Sequence, residues 1–99
     1  MIRYTVRCEF TDDAVSQRWV DWLRDEHIQD VIDAGASSGE IIRIDGDQIV
    51  YEVRYGFPDR SIFDSYIANH APALRDEGLN RFPLELGLSY TRTVGEVVG

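Results

Sequence analysis

The stretch from Trp19 to Gly35 constrains the fold most. It holds both tryptophans of the chain and one of its two histidines. Val15, Trp19, Trp22 and Leu23 recur at helical spacing and make an apolar stripe that must be buried against something. Thr11-Asp12-Asp13 supplies an N-cap and first-turn acids that complement the helix dipole. These signals predict a helix from about Asp13 to His27 or beyond. Asp21, Arg24 and Asp25 fall outside the stripe, and Glu26 falls near its centre, an unusual place for an acid. After His27 the pattern slips, because Ile28, Val31 and Ile32 point elsewhere on a continued ideal helix. A break or offset near Ile28 is expected, with Gly35 as the stop.

The elements that this helix covers are read on either side of it. Ile2, Tyr4, Val6, Cys8 and Phe10 alternate with Arg3, Thr5, Arg7 and Glu9, which is a half-buried strand. Ser37 to Asp45 and Gln48 to Phe57 form a hairpin around Asp45-Gly46-Asp47. A two-residue turn at Gly46-Asp47 pairs Ile44 with Ile49 and Ile42 with Tyr51, and Val53, Tyr55 and Phe57 continue that apolar face. Arg43, Val50, Glu52 and Arg54 then lie on the other face. Pro58-Asp59 ends the strand and caps a second helix whose buried stripe is Phe63, Tyr66 and Ile67. Pro72 demands a kink or restart at Asn69-His70-Ala71. Ala73 to Phe82 reads as helical again, weakened at Gly78 and stopped by Pro83. Leu84, Leu86, Leu88, Tyr90 and Val94 alternate with Glu85, Gly87, Ser89, Thr91 and Thr93 as the last strand.

The order is β-α-β-β-α-β in one domain spanning residues 1–99. Right-handed crossovers turn this order into an α+β fold of the ferredoxin-like plan. Its four-stranded antiparallel sheet has the order 4-1-3-2, with both helices on one face. The uncovered face carries Arg3, Arg7, Arg43 and Arg54 with Glu9, Asp45 and Glu52. One reading is a solvated face whose cross-strand ion pairs contribute little. The other is a face closed by a second subunit, making a charged interior that could hold a small polar or anionic ligand. The partner expected is the chain itself, a homodimer through the face bearing Arg7 and Arg54.

Charge and cysteine usage narrow the remaining partners. The formal net charge is −8, and all ten basic residues are arginine. Such a chain repels phosphate backbones, so nucleic acid is not an expected partner. No apolar run approaches membrane-spanning length and no signal-peptide core is found, so the cytoplasm is the expected location. Cys8 is the only cysteine, which excludes an internal disulfide and a thiolate zinc site. Its parity with Tyr4 and Val6 makes it a small core residue. Two histidines without ligand spacing are a poor metal signal, and nothing nominates a haem ligand. There is no phosphate loop and no dinucleotide fingerprint, so no cofactor and no metal are expected.

Several strings taken together carry a family resemblance. They are Trp19-xx-Trp22, Glu26-His27-Ile28-x-Asp30-Val31, Gly35, His70-Ala71-Pro72-x-Leu74-Arg75, and Arg81-Phe82 followed by Arg92-Thr93. Over nearly its whole length the chain resembles an uncharacterised bacterial domain-of-unknown-function family. The resemblance implies a ferredoxin-like fold in the dimeric α/β-barrel superfamily, in which two sheets pack face to face. That superfamily includes small-molecule monooxygenases, isomerases, chlorite-dismutase-like haem proteins and members without known activity. The chain departs from the family pattern twice. Gln29 stands where the family has proline, and Gly78 follows Glu77 where the family often has histidine, which puts a multi-histidine site in doubt.

The candidate chemistry is sparse. His27 could be a general base partnered by Glu26 or Asp30, but we read it first as a helix-end histidine facing the C-terminal dipole. His70 is read as satisfying freed backbone groups at the helix break, with a place at a pocket mouth as the alternative. Trp19 and Trp22 are core aromatics, although Trp22 with Tyr51 or Tyr55 could line a cleft between sheet and helices. Arg75 and Arg81 are read as pairing with nearby acids. Arg75, like Arg54, is also a candidate for binding substrate. The function expected is a dimeric module, structural or ligand-binding, with no assigned reaction. The alternative is a cofactor-independent enzyme of the monooxygenase or isomerase type using His27 in a barrel pocket.

Overall fold

The computed structural model describes residues 1–99. Alternation makes the sheet. Strands β1 (Ile2–Phe10), β2 (Ser38–Arg43), β3 (Ile49–Phe57) and β4 (Leu88–Glu96) stand in the order β2-β3-β1-β4, all antiparallel. This is the expected 4-1-3-2 arrangement read from the other edge. The central strand β1 sets Tyr4 opposite Tyr55 on β3 and Cys8 opposite Tyr90 on β4.

Helices α1 (Asp13–Trp22), α2 (Ile28–Asp33), α3 (Arg60–Asn69) and α4 (Ala71–Arg81) supply the covering layer. The Asp12 carboxylate accepts hydrogen bonds from the backbone N–H groups of Ala14 and Val15 at 2.8 and 3.3 Å, which caps α1. Asp59 caps α3 by accepting from Ile62 at 2.9 Å. The expected break falls at His70, and Pro72 sits in the first turn of α4, where its missing N–H is no loss. One cluster of 19 buried residues joins the two layers, with Trp19, Tyr55, Phe57 and Val31 at its centre.

The structure corrects the sequence reading at three places. The offset expected near Ile28 is a π-helical turn over Leu23–His27, closed by the Ile28 N–H donating to the Leu23 carbonyl. One extra residue in that turn brings Ile28 and Val31 back onto the core, where Val31 is fully buried. The same turn carries Glu26 off the apolar stripe into solvent, where it pairs with Arg81 at 3.2 Å.

The hairpin register is shifted by one residue. Arg43 opposes Tyr51 and Ile42 opposes Glu52, so no two-residue turn forms at Gly46-Asp47. A one-residue slip exchanges the two faces of a strand. Arg43 therefore lies on the helix side, its guanidinium 5.2 Å from the Tyr51 ring centroid. Ile42 and Glu40 lie on the uncovered side with Glu52 and Arg54. The sequence permits either register, because Ile41, Ile42 and Ile44 offer apolar residues to both faces.

The last strand begins at Leu88 rather than Leu84. Leu84–Leu86 form a short 3-10 turn, and Gly87 at φ 93° redirects the chain. A Cβ at Gly87 would collide with the Thr11 hydroxyl, so the turn needs glycine for space as well as for conformation.

Candidate functional site

A partly enclosed pocket lies between the sheet and the helices, with a volume of about 50 Å³. Val6, Val53 and Tyr55 form its floor, Trp22, Leu23 and His27 one side, and Leu74, Arg75 and Leu79 of α4 the other. Tyr66 closes it from α3, and Tyr90 and Arg92 close it from β4. Leu79 is 43% exposed and Arg75 is also at the surface, so the mouth opens along α4.

The π turn builds the deepest wall. Residues five apart on a regular α-helix point about 140° away from each other. With one residue inserted, His27 comes beneath Trp22 and the rings stack at a centroid distance of 4.4 Å and an interplanar angle of 25°. Gly78 makes room for the indole. A Cβ there would meet Trp22 Cη2 at 3.3 Å, so the position that reads as a weak point of α4 is where the tryptophan rests.

Two polar atoms of this stack are buried without a hydrogen-bond partner, Trp22 Nε1 and His27 Nδ1. Trp22 is only 7% exposed. By contrast, Trp19 Nε1–H donates to the Tyr90 hydroxyl at 3.0 Å. A buried N–H left unbonded carries a desolvation cost that a polar guest would relieve. Burial pushes the His27 imidazole down to about 4, partly offset by the nearby Asp30 carboxylate. His27 is therefore neutral near pH 7. The helix-end reading of His27 fails, because the helix runs on to Asp33 and no imidazolium is present to face a dipole.

The tyrosines and arginines give the pocket its polarity. Arg75 donates from Nη2 to the Tyr4 hydroxyl at 3.2 Å. The Arg92 guanidinium lies 5.2 Å from the Tyr90 ring centroid. Burial holds the phenols of Tyr66 and Tyr90 up at about 12, while Arg75 and Arg92 both draw Tyr66 back toward ionisation. Burial likewise raises Cys8 to about 12, which leaves an unreactive thiol. Neither pocket arginine meets a carboxylate. The seven ion pairs of the protein involve Arg7, Arg24, Arg54, Arg60 and Arg81. Arg81 pairs with Glu26 and Glu77, as expected of it; Arg75, expected to do the same, does not.

The structure brings Trp22, His27, Tyr55 and Arg75 together at the pocket. It leaves the other candidates apart. Glu26 and His70 are exposed, and His70 makes no side-chain cap at the α3–α4 junction. Tyr51 sits farther along β3 against Phe10 and Trp19. Arg54 is on the opposite sheet face, where it and Arg7 both reach Glu52. Sequence reasoning missed Tyr4, Tyr66, Tyr90 and Arg92 as lining residues. Arg92 left a signal, since it occupies the core-facing row of β4 between Tyr90 and Val94. No three histidine, cysteine, aspartate or glutamate side chains gather closely enough to hold a metal ion. No helix is long and apolar enough to cross a membrane.

Fold and pocket together define a ferredoxin-like α+β domain with a cavity between its layers. The chain belongs to the family described as domain of unknown function DUF4286, whose profile matches residues 1–95. No curated protein sequence matches it. Among solved structures, a dimeric ferredoxin-like protein from an uncultured marine organism is similar, with a TM-score of 0.75 and 19% identity over 99% of this chain and 95% of that one. A protein described as of the ethyl tert-butyl ether d (EthD) family, from Bacillus halodurans, gives 0.64 at 12% identity, covering 99% of this chain and 100% of its own. A protein named an antibiotic biosynthesis monooxygenase gives 0.65 at 14% identity, with both chains covered completely. At these identities the likeness establishes the fold alone. The family carries no assigned reaction, in agreement with a chain whose sequence identifies none.

Proposed function

We propose that this protein is a small-ligand-binding module that works as a homodimer, and that its ligand enters the cavity between α4 and the sheet. The observation that carries this reading is Trp22, a residue only 7% exposed that lines a partly open aromatic pocket while its buried indole N–H has no hydrogen-bond partner. A purely structural domain has no need to leave such a donor unmatched in a residue that walls a pocket. Trp22, His27, Tyr55 and Arg75 are the binding residues of this reading, with Tyr4, Tyr66 and Arg92 added to them.

The dimer forms through the uncovered sheet face, which makes an α/β barrel from two sheets. Val50 on that face is only 4% exposed yet stands apart from the main core, and Ile42 shares the face with it. Glu52 pairs with both Arg7 and Arg54 there and Glu9 also pairs with Arg7, which lowers the cost of covering them. A similar structure is described as dimeric, and that description supports the same assembly here. A reducing cytoplasm suits a chain whose one thiol is free and buried.

The enzymatic alternative draws support from the monooxygenase name of one structural neighbour. His27 argues against it as a general base. An imidazole at about 4 is far less basic than the working range that proton abstraction near pH 7 requires. Binding therefore ranks ahead of catalysis.

A thermal-shift screen of small aromatic and polar compounds tests the reading. Hits should stabilise the wild type and lose their effect in Gly78→Leu, whose side chain displaces the Trp22 indole. Hits that stabilise a folded Gly78→Leu variant equally would place the binding elsewhere and refute the cavity.

A further inference from the structure

We propose that the ligand of this cavity is a small planar aromatic acid, its anionic group held between Arg75 and Arg92 and its ring lying against Trp22. This rests on the cavity being a ligand site. Arg75 comes from α4 and Arg92 from β4, so they reach the pocket from opposite layers. On a chain with 18 acids against ten arginines, both stand free of any carboxylate. An acidic protein that leaves two guanidinium groups unpaired at one opening presents a local positive site against its own net charge. Guanidinium forks match the planar, two-oxygen shape of a carboxylate better than they match a lone hydroxyl.

The tyrosines extend the same recognition. The Tyr4 hydroxyl accepts from Arg75, so its own proton is free for an anion beside it. Between these groups and the floor, the walls are aromatic faces, which favour a flat ring over a branched aliphatic chain. The unbonded Trp22 N–H adds one donor and suits a ligand that presents acceptors. The enclosed volume of about 50 Å³ is smaller than a benzene ring needs, so the acidic group and one ring edge enter it while the rest of the ring lies in the mouth along α4.

Isothermal titration with benzoate, 2-naphthoate and their primary amides, against wild type, Arg92→Gln and Arg75→Gln, tests this. Acid and amide share shape and ring, and differ in charge. At least one acid should bind the wild type at least about tenfold more tightly than its amide, and Arg92→Gln should weaken the acid much more than the amide, so that the preference is lost. Amides that bind as tightly as the acids would overturn the aromatic-acid proposal and leave the cavity reading standing. So would an acid preference that survives in both arginine variants. Absence of binding by acids and amides, together with a screen empty of hits, would overturn both.

Discussion

The His27 imidazole stacks on the Trp22 indole at 4.4 Å, although five residues separate them and a regular helix would hold them on different faces. The π turn over Leu23–His27 makes this contact, and the contact builds the pocket wall. Much of the account depends on that one inserted residue, and its consequences are measurable.

Deleting Asp25 is the first test. It is exposed and makes no side-chain bond or ion pair. In an ordinary helix a deletion would rotate everything beyond it by about 100° and bury the wrong face. Here it should convert the π turn into regular helix and keep Ile28 and Val31 on the core. The deleted protein is expected to fold with a melting temperature within a few degrees of wild type, by circular dichroism. An unfolded product would show that the π turn is not a simple insertion.

The second concerns pH. His27 is at about 4 when folded and about 6.5 when unfolded, so the unfolded chain takes up the proton first. Stability from the neutral, buried imidazole is present above pH 6.5 and is lost as pH falls toward 4, by an amount on the order of 3 kcal/mol. Below pH 4 the loss stops growing. His27→Phe keeps the ring stack and cannot titrate. At pH 7 it should match wild type within about 1 kcal/mol, and toward pH 4.5 it should become the more stable of the two. Urea unfolding at several pH values gives the difference, in which the carboxylates common to both proteins cancel. A difference that does not vary with pH would mean that His27 is not buried neutral.

Gly78 supplies a third. Ala at this position forces Trp22 to move by a few tenths of an ångström, and Leu forces it farther. Gly78→Leu should cost about 1–3 kcal/mol by overpacking, despite the better helix propensity of leucine. A variant more stable than wild type would mean that the indole has space elsewhere.

The fourth concerns assembly. Light scattering at micromolar concentration should give twice the 11.3 kDa chain mass. Val50→Glu should give a folded monomer, since it places an unpaired charge opposite Glu9 on the uncovered face. A wild-type monomer at that concentration would remove the barrel.

How much was legible beforehand follows from where each constraint resides. One-sided burial writes itself into parity, so Tyr4, Tyr55 and Phe57 could be placed on the core face and the strand order deduced. Pro72 announced the helix break because its chemistry is local. The β2 register was not legible, since three isoleucines within four positions satisfy either face and only the five-residue link to β3 decides between them. The pocket was half legible. Trp22 and Arg75 could be nominated, but the slip after His27 showed only that something changed, not that an added residue stacks two rings. Arg92 was marked by its place in the core-facing row of β4, but what that place meant depended on α4 bringing Arg75 to the same pocket, a tertiary fact.

The central claim is that Trp22 lines a cavity open to ligand. The indole N–H resonances of the two tryptophans, followed by nitrogen-15 NMR during titration with 2-naphthoate, test it most directly. The Trp22 signal, free of any protein partner, should move strongly and saturate. The Trp19 signal, bonded to Tyr90, should move less. Both signals unmoved at saturating ligand, or an equal response in Gly78→Leu, would contradict the account.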